Sequence, residues 1–168
     1  MKELFLIRHA KSDWDHAGLS DHDRPLNDRG KRDAPRMAEA LRRLVVSPAQ
    51  IVTSTATRAA TTAELLAEGL GFPVAKIDRV PGLYLATPQA ILRVVQGLDE
   101  EGGTALVFGH NPGMHETVNL LSGEMMVEHF PTLAVAHFEL AVECWGEVEW
   151  GDGRLREMLT PRGLPDVD

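Results

Sequence analysis

The sequence has one cysteine, Cys144, no long apolar run and no excess of positive charge, and each shortage removes a class of protein. One cysteine forms no internal disulfide and builds no thiolate metal cage, which fits a reducing compartment. Cys144 is expected to be a buried or strand residue without a chemical role. No stretch approaches the roughly 20 apolar residues of a membrane span, and the apolar run at the start is too short for a secretory signal. A soluble, cytoplasmic protein without a membrane partner is expected. The formal net charge of −8 and a pI of 5.3 argue against a nucleic-acid or anionic-membrane surface, since both partners reward a basic face. Any anion must be held in a local pocket. Repeats, low-complexity tracts and an interdomain linker are also missing.

What is present suits one domain over residues 1–168, because 43% apolar residues can bury a substantial core. Short apolar runs alternate with amphipathic stretches, the pattern of parallel strands joined by crossover helices. The fold expected is therefore α/β: a single three-layer α/β/α domain with a mostly parallel central sheet flanked by helices. Strands are predicted at 3–7, 50–53, 74–77 and 104–108, with antiparallel ones at 134–142 and 154–159 around a turn region at 146–153. One helix starts at an Asn27 cap and shows Ala34, Met37, Ala38, Leu41, Leu44 and Val45, with Pro35 starting or kinking it locally. A second is capped by Ser54 or Thr55 and ends near Gly69 or Gly71. A third opens at Thr87-Pro88, and a fourth runs to Leu121 with Gly123 beyond it.

The stretch "LFLIRHAKSDW" changes character where the first strand stops, at Arg8 and His9. The strand at 104–108 stops in the same way at Gly109 and His110, and the strand at 50–53 leads to Arg58 in the next helical turn. In open parallel sheets, ligands bind beyond the carboxyl ends of strands, where helix N-termini converge. Two arginines, two histidines and helix amides at one edge are complementary to a phosphoryl group. A lone histidine after a strand is ordinarily a loop residue, but here the pattern recurs at equivalent positions. His16 and His22 lie in an acidic loop, 13–23, whose spacing matches no metal-ligand set, so a solvated loop is expected. His115, His129 and His137 are read as structural.

These residues carry a pattern. "LIRHAKS", "RPLNDRG", "TSTATRAATTAELL", "VFGHNPG" and "LTPRGLP", in this order and over nearly the whole chain, resemble the histidine phosphatase superfamily, specifically its small SixA-type phosphohistidine phosphatases. The resemblance implies a phosphoglycerate mutase-like fold without the helical insert. It implies that His9 is the nucleophile, that Arg8, Arg58 and His110 hold the phosphoryl oxygens, and that Arg24 is a further phosphate-pocket arginine. It implies neither metal nor cofactor. Where much of the superfamily has Arg-His-Gly, this chain has Arg8-His9-Ala10. The superfamily's phosphomonoesterases and mutases also use a glutamate after the third strand as general acid, yet "RVPGLYLATPQAIL" has no carboxylate.

Cations beside His9 favour neutral imidazole, the nucleophilic form. Its other ring nitrogen is expected to donate to a backbone carbonyl, and His110 to act best as a protonated donor to bound phosphate. A phospho-His9 intermediate would then be hydrolysed by water. Expelling an alkoxide without an acid loses roughly 10²- to 10⁴-fold, whereas phosphohistidine with a protonated nitrogen leaves as neutral imidazole, so the missing acid favours P–N cleavage. Asp13, Asp15, Glu116 and Tyr84 are the alternative proton sources. The rivals are a small-molecule phosphomonoesterase, a mutase, a phosphate-recognising binding module and, weakest, a metal hydrolase. A phosphorylated protein, such as a phosphotransfer domain in signalling, or a small phosphorylated metabolite is the expected partner, and the acidic loop is a candidate contact.

Overall fold

In a computed structural model, which describes residues 1–44, 46–125 and 127–165, the apolar runs form one six-stranded sheet. Its strands are β1 (Lys2–Arg8), β2 (Gln50–Ser54), β3 (Asp78–Val80), β4 (Thr104–Gly109), β5 (Val135–Leu140) and β6 (Gly153–Leu159), in the spatial order β3-β2-β4-β1-β5-β6. The first four positions are parallel, and β5 and β6 complete the sheet in antiparallel pairing. The helices are α1 (Asp28–Arg43), α2 (Thr57–Leu70), α3 (Pro88–Gln96) and α4 (Gly113–Ser122).

Successive residues of a strand point to opposite faces, so a strand buried on both faces must be apolar throughout. Leu4 and Leu6 pack with Ile91 and Val95 of α3 and Met114 and Val118 of α4. Phe5 and Ile7 pack on the other face with Met37 and Leu41 of α1 and Leu66 of α2. Hence β1 leads into α1 on one face while its neighbour β4 leads into α4 on the other. The carboxyl ends of two adjacent strands whose connections diverge form a crevice. His9 and His110 are the next residues of the chain.

Caps and close contacts hold the loops around that crevice. Asn27 accepts the Gly30 N–H at 2.8 Å, as its capping role requires, and Thr87 accepts the Ala90 N–H at 3.2 Å. A Cβ at Gly30 would collide with the Lys11 carbonyl, and one at Gly113 with the Ala86 carbonyl, so only glycine lets α1 and α4 approach these loops.

Several expectations need correction. The strand at 74–77 is instead a 3-10 turn, Val74–Lys76, entered from Pro73; β3 follows it, because Ile77 is the residue that reaches the core. Ala56 caps α2, while Ser54 remains in β2 and accepts the Ala56 N–H at 3.2 Å. Pro35 lies inside helix α1 on its exposed side, so it does not start the helix. It ends at Arg43, so Leu44 is exposed, and Val45 lies outside the described residues. Cys144 is exposed beyond β5. Among the described residues no helix is long and apolar enough to cross a membrane.

Candidate active site

The parallel pairing sets Arg8 level with Gly109, so His9 and His110 emerge side by side with ring centroids 5.2 Å apart. Strand β2 ends at the same edge and delivers Arg58 in the first turn of α2. Thr62, one turn further on, locks this junction. Its hydroxyl donates to the Arg58 carbonyl at 2.6 Å and accepts the Ala10 N–H at 3.0 Å. A cavity of about 220 Å³ is lined by Arg8, His9, Ser12, Arg24, Arg58 and His110, among others. All five residues predicted for the site are therefore brought together.

Their hydrogen bonding is unusual. Arg8 donates from Nη1 to the Phe130 carbonyl at 3.2 Å, and Arg58 from Nη1 to the Asp21 carbonyl at 2.6 Å. His110 Nε2 pairs with Ser54 Oγ at 2.8 Å. Yet Arg8 Nε, Arg58 Nε and His110 Nδ1 are buried without any partner among the described residues. Buried polar groups are nearly always satisfied, so three orphans around one cavity mark a place built for acceptors. His9 Nδ1 bonds the Ala10 carbonyl at 2.7 Å; a carbonyl only accepts, so Nδ1 carries the proton and Nε2 bears the free lone pair.

Burial lowers the His9 pKa to about 3, with His110, Arg58 and Arg8 adding repulsion against the Ala10 hydrogen bond. Burial and then Arg58 lower His110 to about 4. Burial, then Arg58, likewise lowers the pKa of Arg8. At neutral pH both imidazoles are uncharged, and the positive potential of the cavity comes from its arginines.

A model of the histidine phosphatase superfamily (branch 1) matches residues 4–83. An uncharacterized protein of Mycobacterium tuberculosis is 33% identical over 165 residues, covering 93% of this chain and 100% of its own length. The chain belongs to the histidine phosphatase superfamily. An uncharacterized chloroplastic protein of Arabidopsis thaliana is 34% identical over 130 residues, 73% of this chain, which spans only 60% of that relative. Among solved structures, one assigned as the phosphohistidine phosphatase SixA of Agrobacterium tumefaciens superposes with a TM-score of 0.81 at 26% identity, covering 95% of this chain and 98% of that one. The protein histidine phosphatase SixA complexed with tungstate gives 0.80 at 26% identity, covering 95% and 97%. The fold is phosphoglycerate mutase-like, and membership of a superfamily that acts on phosphorylated substrates supports phosphatase activity.

The candidate site of this histidine phosphatase superfamily member also holds residues that the sequence did not single out. Asp21, in the loop read as solvated, accepts Arg24 Nε and Nη2 at 3.1 and 3.0 Å, Arg58 Nη2 at 3.0 Å and the Tyr84 hydroxyl at 2.5 Å. Tyr84, with Arg24 and Arg58, holds its carboxyl well below the usual carboxylate range, and Asp21 in turn raises the Tyr84 phenol. Arg24 also donates to Ser12 Oγ at 2.9 Å, so more of its donors are engaged than those of Arg8 or Arg58. His22 belongs to the same cluster, bonding Thr55 Oγ1 at 2.9 Å and meeting Tyr84 edge-on. Asp13, Asp15 and Glu116 do not line the cavity. No group of three or more His, Cys, Asp or Glu side chains among the described residues is arranged to hold a metal ion.

Proposed function

We propose that this protein is a metal-independent phosphatase that takes the phosphoryl group from phosphohistidine, through a covalent phospho-His9 intermediate. The observation that carries this reading is the ring of unpartnered donors, Arg8 Nε, Arg58 Nε and His110 Nδ1, around a neutral His9 whose Nε2 is free.

In the proposed mechanism the Nε2 lone pair of His9 attacks phosphorus while the bond from phosphorus to the leaving nitrogen breaks. The leaving imidazole keeps that electron pair; its protonated second nitrogen makes it neutral on departure. The orphan donors meet the phosphoryl oxygens as charge redistributes, each contributing about 10²-fold. Ser54 Oγ already accepts from Ala56 and is free to donate to His110 Nε2, which puts the His110 proton on Nδ1, toward the phosphate. Bound phosphate raises the His110 pKa and strengthens that donor. Water then attacks phospho-His9, the P–Nε2 bond breaks, the pair returns to His9, and the water proton leaves with the phosphate or solvent.

Substrate choice follows from proton supply. Asp21 is held ionised, and the Tyr84 proton is committed to Asp21, so neither is a ready general acid. Leu85, from the segment without a carboxylate, lines the cavity. An alkoxide would leave unassisted, whereas imidazole needs no acid.

The test is phosphate release from a phosphohistidine peptide and from an aryl phosphate, with chelator present, for wild type and His9→Ala. We expect faster turnover of the peptide and none in His9→Ala. Equal or faster ester turnover would point to a metabolite phosphomonoesterase, and binding without release to a recognition module.

A further inference from the structure

The catalytic cavity, about 220 Å³, is smaller than the roughly 300–1,000 Å³ of sites that enclose a drug-sized ligand. It takes a phosphoryl group and little more, so whatever is attached to phosphorus lies across the mouth. Two large apolar side chains stand there, both lining the cavity and both exposed: Trp14, 73% exposed, and Leu85, 56%. An exposed tryptophan at a functional mouth costs solubility without contributing to the core.

Neither side chain is there by accident of a loose loop. The Arg24 guanidinium carbon lies 3.5 Å from the Trp14 ring centroid, and Arg24 is itself fixed by Ser12 and Asp21. One indole face is thus held by a cation–π contact against a buried arginine. Leu85 adopts φ 49°, a left-handed conformation that a leucine takes only when its surroundings impose it. Those surroundings are visible on either side. Tyr84 is tied to Asp21, and the Ala86 carbonyl lies under the Gly113 backbone, where no Cβ would fit.

We infer that Trp14 and Leu85 form an apolar clamp at the mouth of the cavity that grips a flat ring on the leaving group, the imidazole of phosphohistidine. The inference rests on the phosphatase reading and adds to it the residues that select the leaving group. Ring stacking on an indole and contact with an isobutyl group favour a planar aromatic leaving group and give nothing to ammonia. Arg24 is the link between this clamp and the phosphate cradle, because it touches both Trp14 and the Asp21 that binds Arg58.

The experiment compares kcat/KM for a phosphohistidine peptide with that for phosphoramidate, whose leaving group is ammonia, in wild type, Trp14→Ala, Trp14→Phe and Leu85→Ala. The ratio of the two should fall about tenfold in Trp14→Ala, fall less in Leu85→Ala, and return toward wild type in Trp14→Phe. An unchanged ratio would overturn the clamp, and equal losses on both substrates would show that Trp14 only orders Arg24. Calorimetry with an inert phosphoryltriazole analogue of phosphohistidine supplies a readout free of turnover. Wild type should bind the analogue more tightly than orthophosphate, and Trp14→Ala should lose that preference. Equal affinities in wild type would sink the clamp, whereas absence of turnover with the preference intact would sink only the phosphatase reading.

Discussion

The two ends of this sheet use the same residue types for different purposes. On the antiparallel side, His137 of β5 pairs with Glu3 at 3.0 Å, and Arg156 of β6 pairs with Glu139. At the carboxyl ends of β1, β2 and β4, His110 and Arg58 are buried and Arg8 is half-buried, and each keeps one buried nitrogen without a partner among the described residues. An exposed pair is close to energetically neutral, since water solvates its members nearly as well as they solvate each other. A buried donor without an acceptor is costly, and under the proposed function an incoming phosphoryl group would recover that cost. The difference lies in burial and the supply of acceptors.

The largest effect that should follow from this contrast is on the cradle. Arg58→Met keeps the bulk of the side chain and removes the donors, and should lower kcat/KM by about 10²- to 10³-fold in steady-state assays. A loss under fivefold would break the comparison.

Next in size is pH. The folded pKa values of about 3 for His9 and about 4 for His110 lie below the unfolded value near 6.5. The native state thus binds fewer protons, and the contribution is complete above pH 6.5 and lost as pH falls through the window toward 4. Each group should cost about 2 kcal/mol between pH 6.5 and 5, read by urea denaturation. His110→Asn should remove about half of that slope.

A smaller effect is expected at Asp21, the one carboxylate among the described residues that lines the cavity. Asp21→Asn should lower kcat about tenfold by loosening Arg58, yet make orthophosphate a tighter competitive inhibitor because a negative charge is gone. Weaker orthophosphate inhibition would mean that Asp21 chiefly orders the arginines. Smallest is Arg156→Ala, which should change stability by less than about 1 kcal/mol and leave turnover unaltered.

Much of the site could be read along the chain because its members sit at strand ends. A parallel strand buried on both faces is an unbroken apolar run, so its stop is sharp: Ile7 gives way to Arg8 and His9, and Phe108 to Gly109 and His110. The rest could not be read so. Asp21 and Tyr84 are 63 positions apart, and neither carries a local signal of the other. The 13–23 loop looks solvated because it is acidic and irregular, and only Arg24, Arg58 and Tyr84 converging on it reveal otherwise. Strand β3 was displaced for a similar reason, since its three residues are held by pairing to β2 and not by an apolar run.

Local patterning, which depends on which side chains recur at a period of two or near four, determined the layers, the parallel half of the sheet and the placement of Arg8, His9, Arg58 and His110 at its edge. Tertiary structure alone decided which donors remain unpaired, that Asp21 is locked between two arginines and a tyrosine, and that Trp14 and Leu85 line one cavity. Periodicity is a property of neighbours along the chain, whereas hydrogen-bond satisfaction and burial are properties of neighbours in space.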